Sequence, residues 1–128
     1  MFDQTTATNL LALILNDSAF SAVTATNILL GTNAPNATTN MTQLSGGSGY
    51  TTGGSTIAWN AVSAAATSNS GTVSWTNTGT AWSLVGLEIW NSGATVRYLW
   101  GTWSGEPVTV STGNTFQISP AGVGVSLA

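Results

Sequence analysis

Hydrophobic positions along this chain change their period near the start. In the first fifteen or so residues, Leu10, Leu13 and Ile14 fall on one face of a 3.6-residue repeat. Asp3 or Thr5 can cap the start, and Asn16 and Asp17 end the run. The spacing predicts a helix over residues 5–15. Residues 25–33, ATNILLGTN, form a short apolar burst ahead of Gly and Asn and read as a strand. Residues 34–54 are poor in apolar side chains and rich in Gly, Asn and Thr, so a long loop is expected there. Loops of this length inside a compact domain are uncommon and often functional, and this one has the reach to cover a neighbouring subunit.

From residue 55 the period is two. Ile57 and Trp59 alternate with polar residues, as do Val73 and Trp75, Phe116 and Ile118, and Val123, Val125 and Leu127. The turn-forming runs SNSG, NSGA, STGN and PAG separate these segments. Short alternating strands with frequent turns predict a mainly β, antiparallel sandwich or barrel-like domain with one N-terminal helix. A chain of 128 residues fits one domain spanning 1–128.

Residues 83–103, SLVGLEIWNSGATVRYLWGTW, are expected to form a hairpin. With Ser92-Gly93 as a two-residue turn, Glu88 faces Arg97. Val85, Leu87 and Ile89 then share a core face with Val96, Tyr98 and Trp100, while Trp90 and Leu99 lie beside the ion pair. A cross-strand pair of this kind contributes about 0.2–1 kcal/mol and pins the register, because a one-residue slip would move Arg97 to the core face. The register depends on the turn length.

Composition narrows the chemistry. Charged residues make up 4% of the chain: Asp3, Asp17, Glu88, Glu106 and Arg97. Soluble domains average about 25%. One cation cannot form the basic stripe that nucleic acid or an anionic membrane requires. With neither histidine nor cysteine, the usual general bases, nucleophile pairs and thiolate metal sites cannot be assembled. No cofactor or metal is expected. The apolar run LLALIL has six residues, far short of the roughly 20 that span a bilayer, and no signal peptide is expected.

Three candidate sites survive. Glu88 and Glu106 are the two carboxylates that glycosidase chemistry would need, against an ion pair for Glu88 and a solvated turn for Glu106. Six tryptophans suit either a sugar-stacking platform or core packing. Alternation assigns Trp59, Trp75 and Trp100 inward, leaving Trp82, Trp90 and Trp103, with Tyr50 of the long loop, as interface candidates. The glycine spacing in GGSGYTTGG lacks the lysine of a phosphate loop.

The order of these segments resembles that of small virion proteins of tailed bacteriophages, of the head-decoration or tail-fibre type. The helix NLLALILND and strand ATNILLGTN are followed by LSGGSGYTT, TSNSGTVSWTNT, the hairpin WSLVGLEIWNSG and RYLWGTWS, and the ending VTVSTGNTFQISPAGVGVSLA. The resemblance implies a sandwich-like domain without enzymatic activity that assembles on a symmetric particle, plausibly as trimers. The expected function is a capsid decoration (cement) protein in the virion, whose partners are copies of itself and the major capsid protein or another virion protein. A tail-fibre or tail-tip component and a carbohydrate-binding module are the alternatives.

Overall fold

Asp3 starts the first helix as expected. One of its carboxylate oxygens accepts the Thr5 amide at 2.9 Å, and α1 runs over Gln4–Asn16. The computed structural model describes residues 1–16 and 25–126. Ten strands follow: β1 Thr26–Gly31, β2 Ser55–Ile57, β3 Ala66–Ser68, β4 Val73–Thr76, β5 Trp82–Leu84, β6 Gly86–Asn91, β7 Arg97–Thr102, β8 Val108–Val110, β9 Thr115–Ile118 and β10 Gly124–Ser126. The domain is mainly β and every strand pairing is antiparallel, in a sandwich-like arrangement. No described helix is long and apolar enough to cross a membrane.

Four strands form one sheet in the order β2-β1-β6-β7. The free edge of β7 is taken by the first three residues. Phe2 bridges Leu99, and the amides of Trp100 and Asp3 donate to the Met1 and Tyr98 carbonyls, both at 2.8 Å. That covers an edge which would otherwise offer unpaired backbone groups to other chains. The last eight strands pair as nested brackets: β3 with β10, β4 with β9, β5 with β8, β6 with β7. A chain path of this kind is a long hairpin wound on itself, as in jelly rolls.

Alternation explains the core. Val73 and Trp75 of β4, Trp82 and Leu84 of β5, and Ile118 of β9 point inward and meet Ile28, Leu30, Ile57 and Ile89 of the four-stranded sheet. Tyr50, Trp75, Phe116 and Trp103 continue the core as a chain of aromatic contacts, with ring centroids 5.2–6.4 Å apart. Two asparagines plug the turns. Asn69 and Asn77 are fully buried, and each side-chain amide donates to two backbone carbonyls: Gly71 and Ser119 for Asn69, Thr80 and Val110 for Asn77.

The expected hairpin forms, but with a different register. Asn91 closes the loop by pairing with Val96, and its Oδ1 accepts the amides of Thr95 and Val96. The turn therefore holds four residues rather than two. Arg97 stands opposite Trp90, and Glu88 stands opposite Trp100. A shift of two residues preserves the face, so Arg97 stays on the side of Glu88. An irregularity beside Ile89 and Trp90 leaves Tyr98 without a partner on β6 and reverses the parity of the rest of β7. Leu99, not Tyr98 or Trp100, joins the core face opposite Ile89, and Val96 lies exposed at the pair that closes the turn. A second break falls at Val85, which separates β5 from β6.

The long loop does not extend away from the domain. Met41, Leu44 and Tyr50 are buried, and the loop is stitched to β1 through Thr32, Leu30 and the Gly31–Gln43 bridge. Gly31 and Gly86 face each other across β1 and β6. Their missing side chains let residues 33–41 lie directly on the sheet. A Cβ on Gly86 would come within 2.6 Å of the Asn33 carbonyl oxygen and 2.7 Å of the Pro35 ring.

Candidate functional site: the Arg97 cluster and the apolar groove

On the outer face of the four-stranded sheet, the sole basic side chain of the chain is withdrawn from solvent. Arg97 is 4% exposed and Glu88 2%. Arg97 Nη1 donates to Glu88 Oε1 at 2.8 Å, and Nε and Nη2 both donate to Asp3 Oδ1, at 2.9 and 2.6 Å. The remaining guanidinium hydrogens reach the carbonyls of Asn36, Ala37 and Thr39 at 2.8–3.1 Å. All five donors are thus occupied. Glu88 is equally well met: Oε1 also accepts the Met41 amide at 2.8 Å, and Oε2 accepts Trp90 Nε1 at 2.9 Å.

Asp3 acts twice. Oδ2 caps α1 while Oδ1 holds Arg97, so one carboxylate ties the helix start to the sheet. Thr6 of the helix adds a hydroxyl hydrogen bond to the Arg97 carbonyl at 3.1 Å. Burial on its own raises the Asp3 carboxyl, but the hydrogen bonds from Arg97 and Thr5 outweigh it and hold the group below its ordinary range. Burial on its own lowers Arg97, but the hydrogen bonds to Glu88 and Asp3 outweigh it and hold the guanidinium above its ordinary value. The cluster fastens the helix start, the 36–41 loop and the sheet together.

Both Glu88 oxygens are engaged and shielded, so Glu88 and the exposed Glu106 cannot flank a glycosidic bond as an acid and a nucleophile. Among the described residues, no three His, Cys, Asp or Glu side chains gather where a metal ion would sit. Gly46–Gly54 leads into strand β2, without the helix start of a phosphate loop. With Asp3, Glu88 and Arg97 drawn together, Glu106 is the one exposed charged side chain among the described residues.

The interface candidates divide. Tyr50 and Trp82 are corrections: they are 2% and 5% exposed, in edge-on contact with each other inside the core. Tyr50 is held there because its phenol oxygen accepts the Leu30 amide at 3.2 Å and the Gln43 side chain at 2.8 Å. Burial pushes that phenol up, against the opposing effect of these two hydrogen bonds. Trp90 and Trp103 are half-buried, Trp90 as a donor to Glu88 and Trp103 edge-on to Phe116. Trp75 is inward as expected, and Trp59, half-buried, also packs against the core while its indole donates to the Thr26 hydroxyl; Trp100 is half-buried outside that cluster, with its indole donating to the Phe2 carbonyl.

A groove of about 850 Å³ opens between β7 and the β9–β10 end of the sandwich. Leu87, Leu99, Trp103, Phe116 and Val123 line it, with Phe2 and Trp100 at one side. Period-two alternation marks most of these residues as inward-facing, but nothing in that pattern shows that the two layers part here. No protein-family model matches the chain, and no curated protein matches it.

Proposed function

We propose that this chain is a non-enzymatic structural protein of a tailed-phage particle, a capsid decoration (cement) protein that binds the particle surface as a symmetric oligomer, with a trimer the favoured number. One observation carries the proposal: the ionisable side chains are spent inside the fold, and Glu106 is the one left exposed among the described residues. A surface of Thr, Ser, Asn and Gly repels neither copies of itself nor a capsid lattice, and it presents few groups that could move protons. Multivalent contact makes weak individual interfaces long-lived. The nested strand path adds support by analogy, because jelly rolls recur in viral capsid proteins, although fold does not fix function. The exposed parts of the 34–54 loop, Trp90 and Trp103 are the contact elements this proposal retains.

The test is immunogold labelling of phage particles with an antibody to this chain. Label distributed over heads supports decoration. Label confined to tails replaces it with a tail-fibre or tail-tip role, and unlabelled particles overturn the virion assignment. The aromatic-lined groove favours a second function, carbohydrate binding, since indoles beside an open groove suit the apolar faces of sugars. Saturable change in tryptophan fluorescence on titration with glycans would support it.

A further inference from the structure

The apolar groove has main chain for its walls. It touches residues 100–104, 116–119 and 122–126 in unbroken runs. Successive residues of a strand face opposite ways, so a groove met by five in a row follows a strand edge as well as a strand face. The alternation of hydrogen bonds shows which edges are open. β10 pairs with β3 alone, and β9 with β4 alone. The Asn69 amide donates to the Val123 carbonyl, which turns Val123 and Val125 towards β3 and points the N–H and C=O of Gly124 and Ser126 the other way. On β7, Trp100 exchanges hydrogen bonds with Met1, at 2.7 and 2.8 Å, and Thr102, two residues on, points the same way past that pairing. Among the described residues, none bonds the backbone of Thr102, Gly124 or Ser126 on these open sides. The floor between the edges is apolar: Leu99, Trp103, Phe116 and Val123. Gly101, two residues from Leu99 on the same face of β7, leaves a gap in it, since a Cβ there would meet only Leu87, at 3.9 Å. Trp103 Nε1 is shielded and has no hydrogen-bond partner among the described residues.

We propose that this groove binds an extended peptide segment of a partner protein, which adds as a strand along β10 and sends alternate apolar side chains between the layers. Main-chain groups select the occupant. The open edge of β10 repeats its donor and acceptor every two residues, about 6.8 Å, and an extended backbone carries the complementary groups at that repeat. An acyl chain has nothing to bond them, and a sugar ring does not keep the repeat. The edge of β7 already accepts such a segment, because residues 1–3 pair with residues 98–100. No charged side chain lines the groove, so the side chains that enter it are uncharged. A residue in a packed sheet fills about 160 Å³, from its rise, the strand spacing and the layer spacing. A groove of about 850 Å³ therefore holds about five residues. The proposal stands apart from the particle role and competes with a glycan for the same groove.

The probe is a blocked pentapeptide, Thr-Val-Thr-Val-Thr, titrated into the full-length protein. Tryptophan emission reads the binding, because Trp103 lines the groove, and a saturable change is expected. Two further peptides carry N-methyl groups, one at its valines and one at its threonines. An added strand bonds through alternate nitrogens, so at least one of them should bind about tenfold or more weakly. Gly124→Pro removes the outward N–H without breaking a bond to β3, and proline is tolerated where a strand N–H faces an open edge. A side chain at 124 meets nothing within 4 Å, so the emission of the free variant should be unchanged while its affinity for the peptide falls about tenfold or more. No saturable change up to about 10 mM peptide overturns the proposal. Equal binding of all three peptides, or full affinity in Gly124→Pro, overturns it as well. Saturation by a glycan or by decanol, with none by the peptide, overturns it and gives the groove to that ligand, while labelling of particles stays a separate result. If Gly124→Pro fails to fold, the methylated peptides decide.

Discussion

Replacing Arg97 with alanine separates a buried network from a surface ion pair. The change removes five donors at once. Glu88, 2% exposed, keeps the Met41 amide and the Trp90 indole but loses its counter-charge. Asp3 keeps its helix-capping bond and loses its second partner, and the carbonyls of Asn36, Ala37 and Thr39 lose a donor. Leaving one member of a buried pair uncompensated costs about 3–5 kcal/mol, whereas an exposed pair is worth about 0–1 kcal/mol. The two neutral hydrogen bonds left to Glu88 place the expected loss near the lower end, about 3 kcal/mol. For a domain of this size that corresponds to a fall in Tm of roughly 10 °C or slightly more. Urea unfolding followed by tryptophan emission measures it directly, with m unchanged. A loss below about 1 kcal/mol for Arg97→Ala would refute the assignment of the cluster as a buried clasp.

The same geometry sets three further outcomes. The carboxyl of Asp3 is depressed in the folded state, so its stabilisation is present above the unfolded value of about 3.9 and is lost as pH falls through the lower folded value; Asp3→Asn should flatten part of the acid limb of a Tm-versus-pH curve below about pH 4. Asn77→Asp turns a donor that faces the Thr80 and Val110 carbonyls into a buried acceptor, and denaturant titration should show a loss of about 3 kcal/mol or more. Gly86→Ala drives a methyl into the Asn33 carbonyl and the Pro35 ring, which should cost about 1–3 kcal/mol by the same assay.

Local periodicity carries the parts of this fold that depend on neighbours in sequence. The capped helix, β1 and the inward pair Val73 and Trp75 are all visible as spacing, and so is the existence of the 83–103 hairpin. The register of that hairpin is not, because it turns on how Asn91 uses its side chain: by accepting the Thr95 and Val96 amides it lengthens the loop from two residues to four. Trp82 reads as exposed only while the run from Ser83 to Trp90 is taken as one strand. Once Val85 breaks it, Trp82 and Leu84, two residues apart, share the inward face. Asp3 is legible as a cap but not as a partner of Arg97, which lies 94 positions away. Asn69 and Asn77 look like ordinary turn residues, since nothing local tells a solvated amide from one buried under a second turn. Tyr50, in a stretch dominated by Gly, Ser and Thr, gives no local sign that its hydroxyl will anchor in the core.

Asp3, Glu88 and Arg97 are consumed internally, which leaves Glu106 as the one exposed charged side chain among the described residues, so the contacts proposed for assembly are apolar and amide-rich. Sedimentation equilibrium of the purified protein between about 0.05 and 1 M NaCl tests this central claim most directly, because that range shortens the Debye length from roughly 14 to 3 Å. Self-association that holds or strengthens with salt is the predicted result. A loss of association of about tenfold or more across the range, as ion-paired interfaces show, would contradict the account.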